Sequence, residues 1–343
     1  MEKFSHNEGG RKMKKVFCTA CVFSLGLVFL AGSALAAEKV YKIRLGHVAP
    51  PITVQHYNAD FFKKYVEARS DGRIQVTIYP TAQLGGERVM AESVQTGTLE
   101  MALLTNEVMT NFVTETALYN LPFFFPDKAS AQRVFESDVG RTIKKAYEKR
   151  GFKLLEYNLN GYRVFGNTRK VIRTPEDLRP LKMRSIECPV LIDAYEALGI
   201  KAITLPFPEV YSALQQGVVD GLDIHLTGMW LAKVPVKYIS LSRWILEPII
   251  TIMGKRFFDQ LPADLQEVVL EGAYEGKTVH MGTLAVKHYE AINALREKGI
   301  EVTLLTAKER QAFADLMGPV YDKWRKKIGE DLVSQAVKLI EAE

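Results

Sequence analysis

The sequence has little cysteine: three residues in 343, Cys18, Cys21 and Cys188. The first two lie in an apolar leader, so the rest of the chain has a single thiol. No internal disulfide can staple it, and its stability must come from a buried core. Cys188 precedes Pro189 and has no histidine nearby in sequence to activate it. It reads as a buried, inert thiol. The signatures H-E-x-x-H, G-x-S-x-G and G-x-x-x-x-G-K-S/T are missing, which removes zincin, serine-hydrolase and P-loop chemistry from the first expectations. Histidine is scarce, six in all. His280 and His288 are spaced too far apart for the i,i+4 pair of a helical metal site, and a lone D-x-H, Asp223 with His225, is a weak signal. We expect no metal and no cofactor. Repeats, low-complexity tracts and Gly/Ser linkers are also absent.

No apolar run reaches membrane-spanning length. The longest, Val16 to Ala31, is about sixteen residues against the roughly twenty that a span requires. Lys12, Lys14 and Lys15 precede it, and Ala34-Leu35-Ala36 follows. A basic segment, a short apolar core and an A-x-A site predict a signal peptide over residues 1–36, cut after Ala36. Met13 is the more natural start of such a leader than Met1. Cys18 and Cys21 stand at the beginning of the apolar run, where they cannot receive a lipid anchor after cleavage. An exported, periplasmic product is expected.

Charge of neither sign is in excess. The whole chain has 45 Lys and Arg against 40 Asp and Glu. Residues 1–37 hold five and two of these, which leaves 40 against 38. That balance gives no reason to expect nucleic acid or an anionic membrane surface as a partner. A mature chain of roughly 300 residues is long enough for two cores.

What is present is a strand–helix rhythm. Tyr41 to Leu45 alternates at period two. Val54, Tyr57, Phe61, Tyr65 and Val66 share a helix face, stopped by Ser70-Asp71-Gly72. Arg73 to Tyr79 alternates again. A helix opens at Gly85-Gly86 and closes at Gly97, and Glu100 to Thr105 reads as a buried strand. The rhythm restarts with strands at 151–157, 162–166, 181–185, 202–205 and 218–224, separated by helices at 190–198 and 208–216. Such βαβ units imply a mainly parallel sheet. From Pro262 to Lys298 a helical pattern runs on until Gly299. A helix of this length, against a mean near eleven residues, must bridge something. The fold class is therefore α/β, two-lobed, with chain crossovers and a long helix spanning both lobes. Lobe I is expected at 37–160 plus 251–289, and lobe II at 161–250 plus 290–343.

The stretch Gly161 to Gly228 is the most informative. Thr174-Pro-Glu-Asp-Leu178, Leu181-Lys-Met-Arg184, Ala197-Leu-Gly199 and the block from Pro206-Phe-Pro-Glu-Val-Tyr to Val219-Asp-Gly221 resemble the DctP-type solute-binding proteins of tripartite ATP-independent periplasmic (TRAP) transporters. Tyr79-Pro-Thr-Ala-Gln-Leu-Gly85 and Leu121-Pro-Phe-Phe124 match as well, so the resemblance runs over nearly all of the mature chain. It implies a periplasmic-binding-protein-like fold that captures a small carboxylate by hinge closure and hands it to the small and large membrane subunits of a permease. It implies a binding protein rather than an enzyme, and we expect a monomer. A ligand sensor for a membrane receptor, and a secreted hydrolase using Glu187 or Asp223 as base, are the alternatives.

The resemblance assigns the ligand carboxylate to Arg184, whose rigid fork matches two carboxylate oxygens and keeps its proton. Arg163 matches a second, assisting arginine, with a lobe-bridging salt bridge as its other reading. Phe207 matches an aromatic that packs on the ligand. Thr105 and Asn106, at the end of the third strand, and His47 and Val48, at the end of the first, would form the opposing rim. The chain departs from the family where an Asn usually reaches the ligand: Leu222-Asp223-Ile224-His225 stands there, and Ser185-Ile186-Glu187 follows the arginine. One amide is lost, and Glu187 and Asp223 become candidate ligand-facing carboxylates. A buried carboxylate needs a cation or donors, which suggests a ligand with an ammonium group, such as an amino acid. The other possibility is an aromatic acid against Trp230, Tyr162 and Phe123. A sugar acid is less expected.

Overall fold

The computed structural model describes residues 39–342. The expected leader, with Met13, Cys18, Cys21 and the cut after Ala36, lies outside the described residues.

Strands β1 (Tyr41–Gly46), β2 (Ile74–Tyr79) and β3 (Met101–Thr105) alternate with helices Val54–Arg69 and Glu87–Thr96. β1 pairs in parallel with β2 on one side and β3 on the other. Its alternation buries Ile43 and Leu45, as a period-two pattern demands. The first helix begins where Thr53 accepts the His56 N–H. The chain leaves it through Asp71 and Gly72, at φ +50° and +78°. The second helix ends on Gly97 at φ +81°, a left-handed position that glycine takes without a Cβ penalty.

β4 (Phe152–Asn167) is one strand of 16 residues where the sequence suggested two. Asn158 to Gly161 stays extended, with a register shift between Leu159 and Tyr162 and Gly161 at φ +104°. At about 3.3 Å per residue β4 is roughly 50 Å long, enough to serve two sheets. Five short strands follow: β5 (Met183–Ser185), β6 (Ile203–Thr204), β7 (Gly221–His225), β8 (Tyr238–Leu241) and β9 (Leu246–Gly254). β10 (Glu301–Leu304) comes after the long helix. The first half of β4 completes a sheet in the order β2-β1-β3-β9-β4, and its second half joins β7-β5-β6 on one side and β8-β10 on the other. β9, buried along its whole length, runs antiparallel between β3 and β4. The expected lobe boundary at 250/251 falls inside it.

The long helix spans Ala263–Glu297, about 52 Å at 1.5 Å per residue. Its first half packs on the helix Val54–Arg69, its middle on β4, and its end on the helix Leu226–Leu231 and β10. Gly272 and Gly276 permit the first contact: a Cβ there would lie 2.8 Å from Val66 Cγ1 and 2.4 Å from Asn58 Oδ1. Gly299, at φ +75°, follows its end. Helices Ala307–Ala314, Gly318–Ile328 and Glu330–Glu341 close the chain. They touch residues of both expected lobes. Tyr321 OH donates to Pro122 O at 2.6 Å, and Trp324 Nε1 donates to Asp193 Oδ2 at 2.7 Å. The molecule is thus a mixed α/β protein whose two sheets share β4. No helix among the described residues is long and apolar enough to cross a membrane.

Candidate functional site

The carboxyl ends of β1, β3, β5 and β7 converge on one cavity, the position at which open α/β sheets bind ligands. From the first sheet come the loop Val48–Pro50 with Thr53 to Gln55, Glu87 at the start of its helix, and Thr105. From the second come Arg184, Ile186, Phe207 and the stretch from Ile224 to Ala232. Asn160 and Arg163 of β4, with Glu247 and Ile249 of β9, close the back. The cavity, about 60 Å³ in volume, has room for several waters or one small organic molecule.

Arg184 and Arg163 both line this cavity, yet their surroundings differ. Arg184 is 2% exposed. Its Nε donates to Leu205 O at 2.9 Å, its one hydrogen bond among the described residues. Nη2 is buried without a partner, and no ion pair joins the group among the described residues. Burial, and then the neighbouring charge of Arg163, pull its pKa down to about 10. It is a desolvated cation with an open fork. Arg163 is also buried, but its fork is occupied. Nε donates to Asp223 Oδ2 at 2.6 Å and Nη2 to Asp223 O at 2.5 Å. Nη1 meets Glu247 at 2.7 Å and Glu107 at 3.3 Å. Burial alone would weaken its charge, but the three carboxylates outweigh it and raise its pKa.

The acids divide in the same way. Burial works to raise Glu247, but His225 and Arg163 hold it down to about 2. Glu107 goes the other way: burial pushes it well up despite Arg163, and its Oε2 has no partner. Glu87 is raised by burial, against the Thr105 N–H and hydroxyl, which donate to it at 2.9 and 2.8 Å.

Of the residues singled out in the sequence, Arg184, Arg163, Phe207, Thr105 and Val48 are on the cavity wall; Glu187, Asp223, Asn106, His47, Trp230, Tyr162 and Phe123 are not among its lining residues. Asp223 is buried behind the wall, between Arg163 and the Tyr195 hydroxyl at 2.9 Å. Glu187 is on the surface, paired with Arg88. Asn106 bonds Thr116 O and Asn120 inside the first lobe. His47 is fully buried beside His56, ring nitrogen to ring nitrogen at 3.1 Å. Trp230 stacks beneath Lys287. In place of Glu187 and Asp223, the carboxylates on the wall are Glu87 and Glu247, and Asn160 supplies an amide. Glu87 had a faint signal, an acid opening a helix after Gly85-Gly86. Asn160 and Glu247 had none, because they depend on β4 and β9 lying side by side.

Comparison with known proteins fits this geometry. Residues 45–327 match the family described as bacterial extracellular solute-binding protein, family 7. A solute-binding protein of Verminephrobacter eiseniae is 34% identical, over 80% of this chain and 82% of its own length. The 2,3-diketo-L-gulonate-binding periplasmic protein YiaO of Escherichia coli is 30% identical, over 89% of this chain and 92% of its own. Among solved structures, a TRAP periplasmic solute-binding protein from Polaromonas sp. JS666 bound to D-erythronate superposes with a TM-score of 0.84. It shares 27% identity, covering 88% of this chain and 99% of its own. Such proteins are two-lobed, and they bind solutes for transporters rather than transform them. A cavity at the strand ends, walled by both sheets and holding an arginine without a counter-ion, sits in a chain that belongs to bacterial extracellular solute-binding protein family 7, the DctP-type solute-binding proteins of TRAP transporters.

Proposed function

We propose that this protein captures a compact monocarboxylate in the periplasm, closes over it, and delivers it as a monomer to the small and large membrane subunits of a TRAP permease. The observation that carries this reading is Arg184. A buried guanidinium with an open fork is costly while empty and is satisfied by one bidentate carboxylate.

The same cost supports hinge closure. Lobe I, 37–160 plus 251–289, supplies Glu87, Thr105 and Val48; lobe II, 161–250 plus 290–343, supplies Arg184 and Phe207. The chain crosses between them in β4, β9 and the long helix, so the lobes can move only as hinged bodies. Closing on an empty cavity strands the Arg184 charge, while closing on an acid pairs it. That difference in free energy is what a ligand needs to drive closure.

A single carboxylate is favoured over two. Arg163, the other cation, is occupied by Asp223, Glu247 and Glu107, and the acids on the wall, Glu87 and Glu247, disfavour a second anion. Those acids support a substituent that donates hydrogen bonds, as the ammonium of an amino acid does. Support for an aromatic acid is thinner, since Phe207 is the only aromatic among the lining residues. A hydroxy acid is a donor of the same kind, and two relatives are named or solved with such acids.

Calorimetric titration with succinate, benzoate, D-erythronate and 2-aminobutyrate tests the reading. We expect binding of a monocarboxylate with Kd in the micromolar range, about −8 kcal/mol, and no measurable binding by Arg184→Ala. Tighter binding of succinate than of every monocarboxylate contradicts the single-anion reading. Equal binding by Arg184→Ala contradicts the site.

A further inference from the structure

His225, the last residue of β7, is held on one side and open on the other. Its Nδ1 lies 2.5 Å from Glu247 Oε1. Glu247 is anchored in turn by Arg163 Nη1 at 2.7 Å and by Asn160 Nδ2 at 3.3 Å. An ionised carboxylate can only accept, so Nδ1 carries the hydrogen and donates it. That fixes the tautomer: in the neutral ring Nε2 is the acceptor. Nε2 has no hydrogen-bond partner among the described residues, and His225 lines the cavity. Gly228 makes room for the ring, since a Cβ there would come within 2.8 Å of Cε1 and Nε2. Arg184 and His225 also stand at a useful separation. Arg184 pairs with Leu222 in the parallel register of β5 and β7, three residues before His225. At about 3.3 Å per residue, the two backbone positions lie roughly 10 Å apart along the sheet, and both side chains line the one cavity.

We propose that His225 is a second ligand-recognition residue, accepting a hydrogen bond from a hydroxyl or ammonium substituent on the acid whose carboxylate Arg184 holds. The inference rests on the carboxylate reading of Arg184 and adds a substrate class to it: substituted short acids over their plain aliphatic counterparts. An unsubstituted acid strands Nε2 in a closed cavity without a partner, and a site built to hydrogen-bond a group discriminates against the analogue that lacks it.

The test is calorimetry on the wild type, His225→Leu and His225→Gln with four acids of one carbon skeleton: butyrate, 2-hydroxybutyrate, 2-aminobutyrate and D-erythronate. The wild type should prefer at least one substituted acid to butyrate by tenfold or more. His225→Leu should lose that ratio, and His225→Gln, which can still accept, should recover part of it. A purely structural role would weaken all four acids together and leave the ratio standing. Circular dichroism and melting curves check folding; should His225→Leu fail to fold, the ratio in His225→Gln together with the wild-type 15N shift of Nε2 on adding 2-hydroxybutyrate, against butyrate, carries the test. An unchanged ratio in a folded variant, or no wild-type preference, overturns the inference alone. A wild type that binds none of the four overturns the carboxylate reading as well.

Discussion

Two buried arginines line one cavity, and removing each should have unequal consequences for stability. Consider Arg163→Met and Arg184→Met, which keep most of the side-chain volume and delete the charge. Arg163 neutralises a cluster of Asp223, Glu247 and Glu107, all buried. Its loss leaves those carboxylates facing one another in low dielectric, and breaking a buried pair in this way costs about 3–5 kcal/mol. With an unfolding entropy near 2.1 cal/mol/K per residue, a chain of about 300 residues loses roughly 5–8 °C in Tm. Arg184 has no ion pair among the described residues. Its pKa is drawn from 12.5 to about 10, so deleting the charge relieves about 3 kcal/mol. Against that stands the loss of one charge-assisted bond to Leu205 O, about 1.5–3 kcal/mol. The two nearly cancel, and the Tm of ligand-free Arg184→Met should stay within about 3 °C of wild type. Differential scanning calorimetry on stripped protein measures both. If Arg184→Met melts as early as Arg163→Met, Arg184 has a structural partner and the argument from its open fork fails.

Other predictions follow from the same coordinates. Gly276→Ala places a Cβ 2.4 Å from Asn58 Oδ1, where the long helix meets the helix Val54–Arg69, and should cost about 1–3 kcal/mol by urea unfolding; a neutral change would mean the two helices part easily. Asp177 completes a capping box with Thr174. Burial opposes its charge, but the Arg173 N–H and Lys170 prevail and hold it at about 2. Asp177→Asn should therefore lose about 1 kcal/mol at neutral pH, a loss that fades as pH falls from 4 towards 2, where the wild-type carboxyl is protonated too. His47 and His280 are buried neutral, their pKa values drawn to about 3 chiefly by burial. Their folded values lie below the unfolded one, so their contribution is intact above pH 6.5 and lost as pH falls towards 3. Each should remove about 2 kcal/mol between pH 7.5 and 5, and His280→Leu should shrink the measured drop by that amount.

The fold was legible wherever local chemistry determines it. Period-two alternation in Tyr41–Leu45, the stop at Asp71-Gly72 and the glycine after Lys298 each correspond to an observed boundary. β4 was misread as two strands because Gly161 looks like a break. In the structure it is an irregularity that carries one strand from the first sheet into the second. β9 has no alternation to read, being buried along its whole length, so its place between β3 and β4 is a tertiary fact. The site follows the same division. Arg184, Arg163 and Phe207 sit in segments whose sequence resembles a known family. Asn160, His225 and Glu247 come together only when β4, β7 and β9 are laid side by side. Glu187 and Asp223 stand next in sequence to Ile186 and Ile224 on the wall, yet tertiary pairing, not adjacency, decides what reaches the cavity. One of them ended in solvent beside Arg88, the other behind the wall holding Arg163.

The most direct measurement is a crystal structure of the wild type grown with the monocarboxylate that binds it most tightly. The account predicts both carboxylate oxygens on Nη1 and Nη2 of Arg184, at about 2.7–2.9 Å, with Arg163 still tied to Asp223 and Glu247. An acid whose carboxylate rests on Arg163, or elsewhere in the cavity with Arg184 unpaired, would contradict it.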